Sequence, residues 1–287
     1  MERSRALPKP HKQNDDKPLP LESIGLIAID LDGTLLRSDD MLGTETAAAI
    51  AEALAQGVKV VICTARPPRG TKAIYDSLGL DTLVINHNGA VIQDPIEGKV
   101  WFHEPMKGSL AKQVVQLARN VDSDLAVGVE VYDTFHIDRK SKRLAEEVSL
   151  GAGDEQPNAF DTLFEQPITK IALVGKSGSL GGVQMALMRV GSGRVGIAYS
   201  NMRLLQVMHH GVDKASGLKR VANYYGIPPE RVMAIGDAPN DIPMINWAGL
   251  GVVVENCWDE ARRHAQMIVP SNDNDGVATA IRRYALQ

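Results

Sequence analysis

Cysteine is scarce in this chain: Cys63 and Cys257 are the only two among 287 residues. Two thiols supply no disulfide framework, which excludes a small disulfide-stapled secreted scaffold and makes a reducing cytoplasm the expected setting. Cys63, inside the apolar run VVIC, reads as a small buried hydrophobe. Long hydrophobic runs are missing as well; none approaches the roughly 20 residues that a membrane helix needs. The opening stretch MERSRALPKPHKQNDDKPLP has no apolar centre of the kind a signal peptide carries. Its prolines and mixed charges read as a disordered arm over 1–20. Nor is positive charge in excess. A net charge of −4 gives nucleic acid or an anionic membrane no electrostatic pull, so neither is an expected partner.

What is present is the composition of a globular protein, 44% hydrophobic and 23% charged, on a chain long enough for two domains. From Ile24 onward, short β-rich runs alternate with helical stretches. IGLIAID, VKVVICT and DTLVINHNGA read as strands. GTETAAAIAEALAQG and RGTKAIYDSLG read as helices, the first with Thr44 as N-cap and Gly57 as stop. Continuous apolar strands separated by helices predict a parallel sheet covered on both faces. The middle differs. VIQDPIEGKVWF reads as a hairpin, DLAVGVEVYDTFHIDR as paired antiparallel strands, and GAGDEQPNAFD as a loop. After MRLLQVMHHG the alternation resumes through DKASGLKRVANYYG, RVMAIGD and DIPMINWAG. The expected organisation is an α/β, Rossmann-like parallel-sheet core over 21–88 and 202–287, interrupted by an α+β insertion over 89–201.

Within the first strand, IAIDLDGTLL carries Asp30 and Asp32. Residues two apart on a strand share a face. Two carboxylates ~4 Å apart repel by about 4 kcal/mol at an effective dielectric of 20. A cation, a shared proton or a strand ending in water would offset this. Ligands of open parallel sheets gather beyond the carboxyl ends of the strands. There this chain places Thr64-Ala65-Arg66 after the second strand and Gly236-Asp237-Ala238-Pro239-Asn240-Asp241 after RVMAI, with Lys214 opening a helix. A shared proton leaves Lys214, Asp237 and Asp241 without roles, whereas a cation employs them all. Asp30, Asp32, Asp237 and Asp241 offer the hard oxygen ligands that suit Mg²⁺. Thr64 and Lys214 offer donors to phosphoryl oxygens. In such a site one aspartate can act as nucleophile while a second carboxylate can shuttle protons.

These four segments match, in order, the motifs of haloacid dehalogenase-like phosphatases. The insertion resembles the large α+β cap of the Cof-like branch, as do INHNGA, GVDKASGLK and SNDNDGVA; the resemblance spans about residues 24 to 284. It implies Asp30 as nucleophile and Mg²⁺ ligand, and Asp32 as general acid/base with its backbone carbonyl on the metal. Thr64 and Asn240 would contact phosphate, and Lys214 would stabilise nucleophile and phosphoryl group. Asp237 would ligate Mg²⁺ while Asp241 holds its water shell. Ala65, Arg66 and Asn88 are expected beside substrate, with Gly89 where core passes into cap. TAR stands where the branch often has TGR, and VVVEN where it often has VAMGN. The implied substrates are small phosphorylated metabolites, sugar phosphates first.

Each feature alone also has an ordinary reading: DLDGT as a turn, Thr64 as a cap, Lys214 as a solvated helix lysine, and Asn240 or Asp241 as a helix cap. Their joint arrival at one rim is what those readings leave without a reason. His209-His210 have no zinc-type spacing to other ligands, Trp101 and Phe102 read as packing in the cap, and RKSKR at 139–143 reads as a solvated basic turn. Transfer of phosphate to a second hydroxyl, and ligand binding without turnover, are the rival functions; the sequence sets no oligomeric state.

Overall fold

In a computed structural model, residues 23–137, 156–157, 160–190 and 193–286 are described. The N-terminal arm and the basic run 139–143 lie outside them, as does most of the loop expected at 151–161.

Five parallel strands form the first sheet: β1 (Leu26–Ile29), β2 (Lys59–Ile62), β12 (Val232–Gly236), β13 (Leu250–Val254) and β14 (Met267–Val269), in the order β14-β13-β12-β1-β2. Alternation along β1 explains its uniform burial. Ile27 and Ile29 face the cluster built with helices α1 (Thr44–Ala55) and α6 (Gly276–Tyr284). Leu26 and Ala28 face the opposite cluster, where Leu218, Val221 and Ala222 of α5 (Lys214–Tyr224) pack. A strand covered on both sides has no polar face, and the expected continuous apolar runs are its signature. Helix α1 begins at Thr44 itself, with Gly43 as the capping residue and no side-chain cap bond, so Thr44 is not the N-cap. Gly57 does end the helix, at φ +80°.

β3 (Val84–Asn86), β4 (Val91–Asp94) and β5 (Lys99–His103) pair antiparallel, and Ile85 bridges in parallel to Cys63 at the end of β2. The hairpin β4–β5 therefore extends the core side, with Ile92 and Phe102 in the same cluster as β1. This corrects the boundary expected at 88/89, and it moves Trp101 and Phe102 out of the cap. Trp101 is half exposed with its ring against Tyr224, and Arg220 lies over the Phe102 ring.

The cap is a six-stranded sheet in the order β10-β11-β9-β6-β7-β8. Its strands are β6 (Ala126–Val131), β7 (Thr134–Ile137), β8 (Gln156–Pro157), β9 (Lys170–Val174), β10 (Val195–Asn201) and β11 (Leu204–His209). Helices α3 (Gly108–Val121) and α4 (Ser177–Val190) cover one face through Val114, Ala118, Val183 and Leu187; the short α2 (Lys72–Ser77) belongs to the core. β11 pairs with β9 and β10, so the cap continues through His209 and the boundary expected at 201/202 cuts a hairpin. Apolar alternation marks a strand in either sheet equally well, and only long-range pairing decides which sheet receives it.

At the junction, His87, Asn88 and Gly89 all have positive φ (49°, 54° and 99°). A Cβ on Gly89 would lie 2.3 Å from the Asp213 carbonyl oxygen at the start of α5. Gly89→Ala should therefore lower stability by about 1–3 kcal/mol, read as a lower denaturation midpoint with an unchanged slope. An unchanged midpoint would contradict this close approach.

Candidate active site

The strand order reverses between β1 and β12, and both strands end at the site, the position expected of a ligand crevice. The Asp30 amide still donates to the Ile235 carbonyl (3.0 Å), but past it the chain winds through the turn Leu31–Leu35. Within that turn Gly33 sits at φ +80°, where a Cβ would come within 2.8 Å of an Asp237 carboxylate oxygen. The face-sharing expected for Asp30 and Asp32 thus stops with the strand. Asp30 is 5% exposed, whereas the Asp32 side chain is 44% exposed. Each finds its own cation. Lys214 Nζ meets Asp30 Oδ1 at 2.5 Å, and Arg66 grips both Asp32 oxygens at 2.5 and 2.9 Å.

Lys214 is fully buried at the first turn of α5, behind a reciprocal Asp213–Ser216 cap. Its ammonium also donates to Asp241 Oδ1 (2.6 Å), while Asp241 Oδ2 accepts from the Asp237 and Ala238 amides (2.9 and 3.0 Å). Burial alone would lower the lysine pKa, but Asp241 and Asp30 together hold it raised, so the amine stays charged. Burial pushes the Asp30 carboxyl well up, with Asp241 and Asp237 adding to the effect and Lys214 opposing it. Asp237 is pushed up to about 7 by burial and by Asp241, although its Oδ1 accepts from the Thr34 hydroxyl (3.0 Å).

Ligand atoms of Asp30, Asp237 and Asp241 lie within 4.8 Å of one another. Four carboxylates (Asp30, Asp32, Asp237, Asp241) share two side-chain cations, Lys214 and Arg66, which leaves two negative charges when all are ionised. One oxygen-ligated divalent cation fits that deficit and that donor set. Asp241 already spends both oxygens on Lys214 and backbone amides, so Asp30 and Asp237 are the carboxylates open to an ion. The Asp32 carboxylate is not in the group.

Thr64 is buried and its Oγ1 accepts from the Arg66 amide (3.1 Å), the ordinary turn bond, with the hydroxyl hydrogen still its own to donate. The Ala65 carbonyl accepts from Lys170 Nζ of the cap (3.0 Å). Asn88 and Asn240 line a cleft of about 480 Å³ together with Lys214, and Tyr199, Met202 and Trp258 form apolar walls. Other contacts dock the cap here. Arg69 reaches Glu130 (2.8 Å) and Asp133 (3.1 Å), and His87 donates from Nε2 to the Tyr132 carbonyl (2.9 Å). Burial and Lys170 hold His87 well below its usual pKa, hence neutral. His209 lies 3.7 Å from Glu104, outside the carboxylate group.

Sequence reasoning missed four supports. Thr34 orients Asp237 from within the quoted DLDGT. Asn256, in the unusual VVVEN, donates to the Gly33 carbonyl (2.8 Å), and Asn272 of SNDNDG ties it to Leu36. Gln206 of β11 accepts from Asn88, and nothing in its local sequence marks it.

Comparison with known proteins gives the same architecture. Residues 27–281 match the family model described as haloacid dehalogenase-like hydrolase. Phosphatase YwpJ of Bacillus subtilis (strain 168) is 30% identical over 277 residues, covering 88% of this chain and 97% of that protein. The 5-amino-6-(5-phospho-D-ribitylamino)uracil phosphatase YitU of the same organism is 28% identical over 265 residues, covering 90% and 97%. A crystal structure of a haloacid dehalogenase-like hydrolase from Bacteroides thetaiotaomicron superposes with a TM-score of 0.79 at 27% identity, over 91% of this chain and 99% of that one.

The raised carboxyls have a consequence in solution. Asp237 stays protonated in the folded chain up to about 7, where an unfolded aspartate at 3.8 has already ionised. Without a divalent cation, stability should therefore fall as pH rises through that window. Magnesium chloride should raise the melting temperature more at about pH 8 than at about pH 5, because only the ionised carboxylates bind it. Equal shifts at both pH values would contradict the site.

Proposed function

The chain belongs to the haloacid dehalogenase-like hydrolases, in the Cof-like branch, and is a phosphatase; on that footing we propose that it is a Mg²⁺-dependent hydrolase of small phosphorylated metabolites acting through an aspartyl-phosphate on Asp30. The observation that carries this reading is the division of two neighbouring carboxylates between two cations, Asp30 buried on Lys214 and Asp32 half exposed on Arg66. Bound between Asp30 and Asp237, Mg²⁺ would supply positive charge for the phosphoryl oxygens.

The chain's own groups do the rest. Lys214 holds the Asp30 carboxylate in place and favours its charged form against burial, and the free oxygen of that carboxylate attacks phosphorus in line with the leaving group. Thr64 and Asn240 hold phosphoryl oxygens. Asp32 gives a proton to the departing alkoxide and then takes one from the water that hydrolyses the acyl phosphate. To carry that proton it must release Arg66, whose guanidinium then becomes available to the substrate. The docked cap keeps bulk water from the acyl phosphate.

YitU is named for a substrate whose phosphate sits on a ribityl chain bearing a pyrimidine. The apolar walls at Tyr199, Met202 and Trp258 suit an organic leaving group of that breadth, so phosphorylated sugar alcohols with a ring belong in a substrate screen beside hexose phosphates. The unpaired cysteines agree with a cytoplasmic setting, and among the described residues no helix is long and apolar enough to cross a membrane.

A phosphate-release screen with and without Mg²⁺ tests the reading. Turnover should need Mg²⁺ and no added acceptor alcohol. Asp30→Asn should abolish it, and Asp32→Asn should lower it about 10²–10⁴-fold. Silence of the wild type across the screen with the fold intact would sink the proposal, and phosphate release only with an acceptor present would make the chain a phosphotransferase.

A further inference from the structure

Three side-chain amides connect the cleft to the cap. Asn240 Nδ2 donates to Asn88 Oδ1 (3.1 Å), Asn88 Nδ2 donates to Gln206 Oε1 (2.9 Å), and Gln206 Nε2 donates to the Ser200 hydroxyl (2.7 Å). Every amide gives its hydrogen in the same direction. Asn88 and Gln206 are buried (1% and 4% exposed), so no solvent competes for these bonds. Asn88 is pinned in the left-handed conformation (φ 54°, ψ 31°), with its amide on the Thr64 carbonyl (2.9 Å). Ser200 sits at a register shift between Tyr199 and Asn201 in β10, a bulge of the sort that re-aims a side chain.

The ends of a carboxamide are nearly equal in size and opposite in hydrogen bonding, so neighbours alone decide which way it points. In this chain of amides the decision is collective. The sulfur of Met208, 3.8 Å from Asn88 Nδ2, is a weak acceptor and favours the amino group on that side. The outcome at the cleft is that Asn240 Oδ1 is buried without a hydrogen-bond partner among the described residues, while its amino group keeps one hydrogen beyond the bond to Asn88. Gln206 stands on the cap, and Asn88 and Asn240 stand on the core. The chain of amides exists only when the two are docked.

We propose that Gln206 is a positioning residue for phosphoryl binding: acting through Asn88, it fixes the orientation of the Asn240 carboxamide when the cap docks, so that closure completes the phosphate site. This rests on the phosphatase reading of the same cleft. Removing the amide at 206 frees Asn88 and Asn240 to rotate, and the bound phosphate loses one well-aimed donor.

Orthophosphate binding to the full chain in magnesium chloride, followed by titration calorimetry, tests it. Gln206→Met, which keeps the volume and loses the amide, should weaken orthophosphate about fivefold to tenfold, the net worth of one hydrogen bond. In an Asn240→Ala background the same change should cost less than about twofold, because its target is gone. Gln206→Glu keeps the oxygen that Asn88 needs and should restore most of the affinity; Ser200→Ala should weaken binding about twofold. These two variants carry the test if Gln206→Met fails to fold. Equal losses in both backgrounds, or no loss in any variant, would overturn the assignment. Turnover is measured separately. A chain that shows this background dependence yet releases no phosphate from any phosphomonoester refutes the phosphatase reading and leaves the role of Gln206 standing.

Discussion

Everything at the site depends on one buried ammonium. Lys214 Nζ lies between Asp30 and Asp241 with no exposure of its own, and both carboxylates are buried with it. Such a triad is costly to desolvate and holds only while each charge has a partner. Asp241 answers on both sides, to the lysine with one oxygen and to two backbone amides with the other. It thereby locks the turn after β12 to the start of α5 and brings Asp237 beside Asp30. The lysine is both the structural keystone of three chain segments and the group that opposes the upward push of burial on the Asp30 carboxyl.

That arrangement gives two aspartates so close in sequence different surroundings. The turn from Leu31 to Leu35 leaves Asp30 buried against Lys214 and sends Asp32 out to Arg66 at the edge of the cleft. A buried carboxylate paired to a lysine suits attack on phosphorus. A half-exposed one, able to exchange its partner for a proton, suits acid and base work. The cap bears on the same loops. The face opposite α3 and α4 sends Glu130, Lys170 and Gln206 to Arg69, to the Ala65 carbonyl and to Asn88, so docking is read by polar groups that also border the cleft.

The parts legible in the sequence were those fixed by local pattern. Continuous apolar runs marked the parallel sheet, and polar residues at the ends of such runs marked where Asp30, Asp237 and Asp241 meet Lys214 at the start of a helix. Strand alternation misled for Asp32, because the strand ends at Ile29 and Gly33 then turns the chain against Asp237. The limits of the cap were misplaced for a related reason: β4, β5 and β11 alternate as any strand does, and their sheet is chosen by partners far along the chain. Gln206 left no local trace at all, since its partner Asn88 is 118 residues away.

Whether the buried Asp30–Lys214 pair is a nucleophile at rest is most directly settled by trapping its product. Rapid quenching of the Mg²⁺-loaded chain during turnover of a phosphomonoester, followed by borohydride reduction and peptide mass mapping, reads which carboxylate had become an acyl phosphate. Conversion of Asp30 to homoserine, with Asp32, Asp237 and Asp241 unchanged, is the expected result. Brisk phosphate release with no reduced aspartate, or with the reduction at another position, would contradict it.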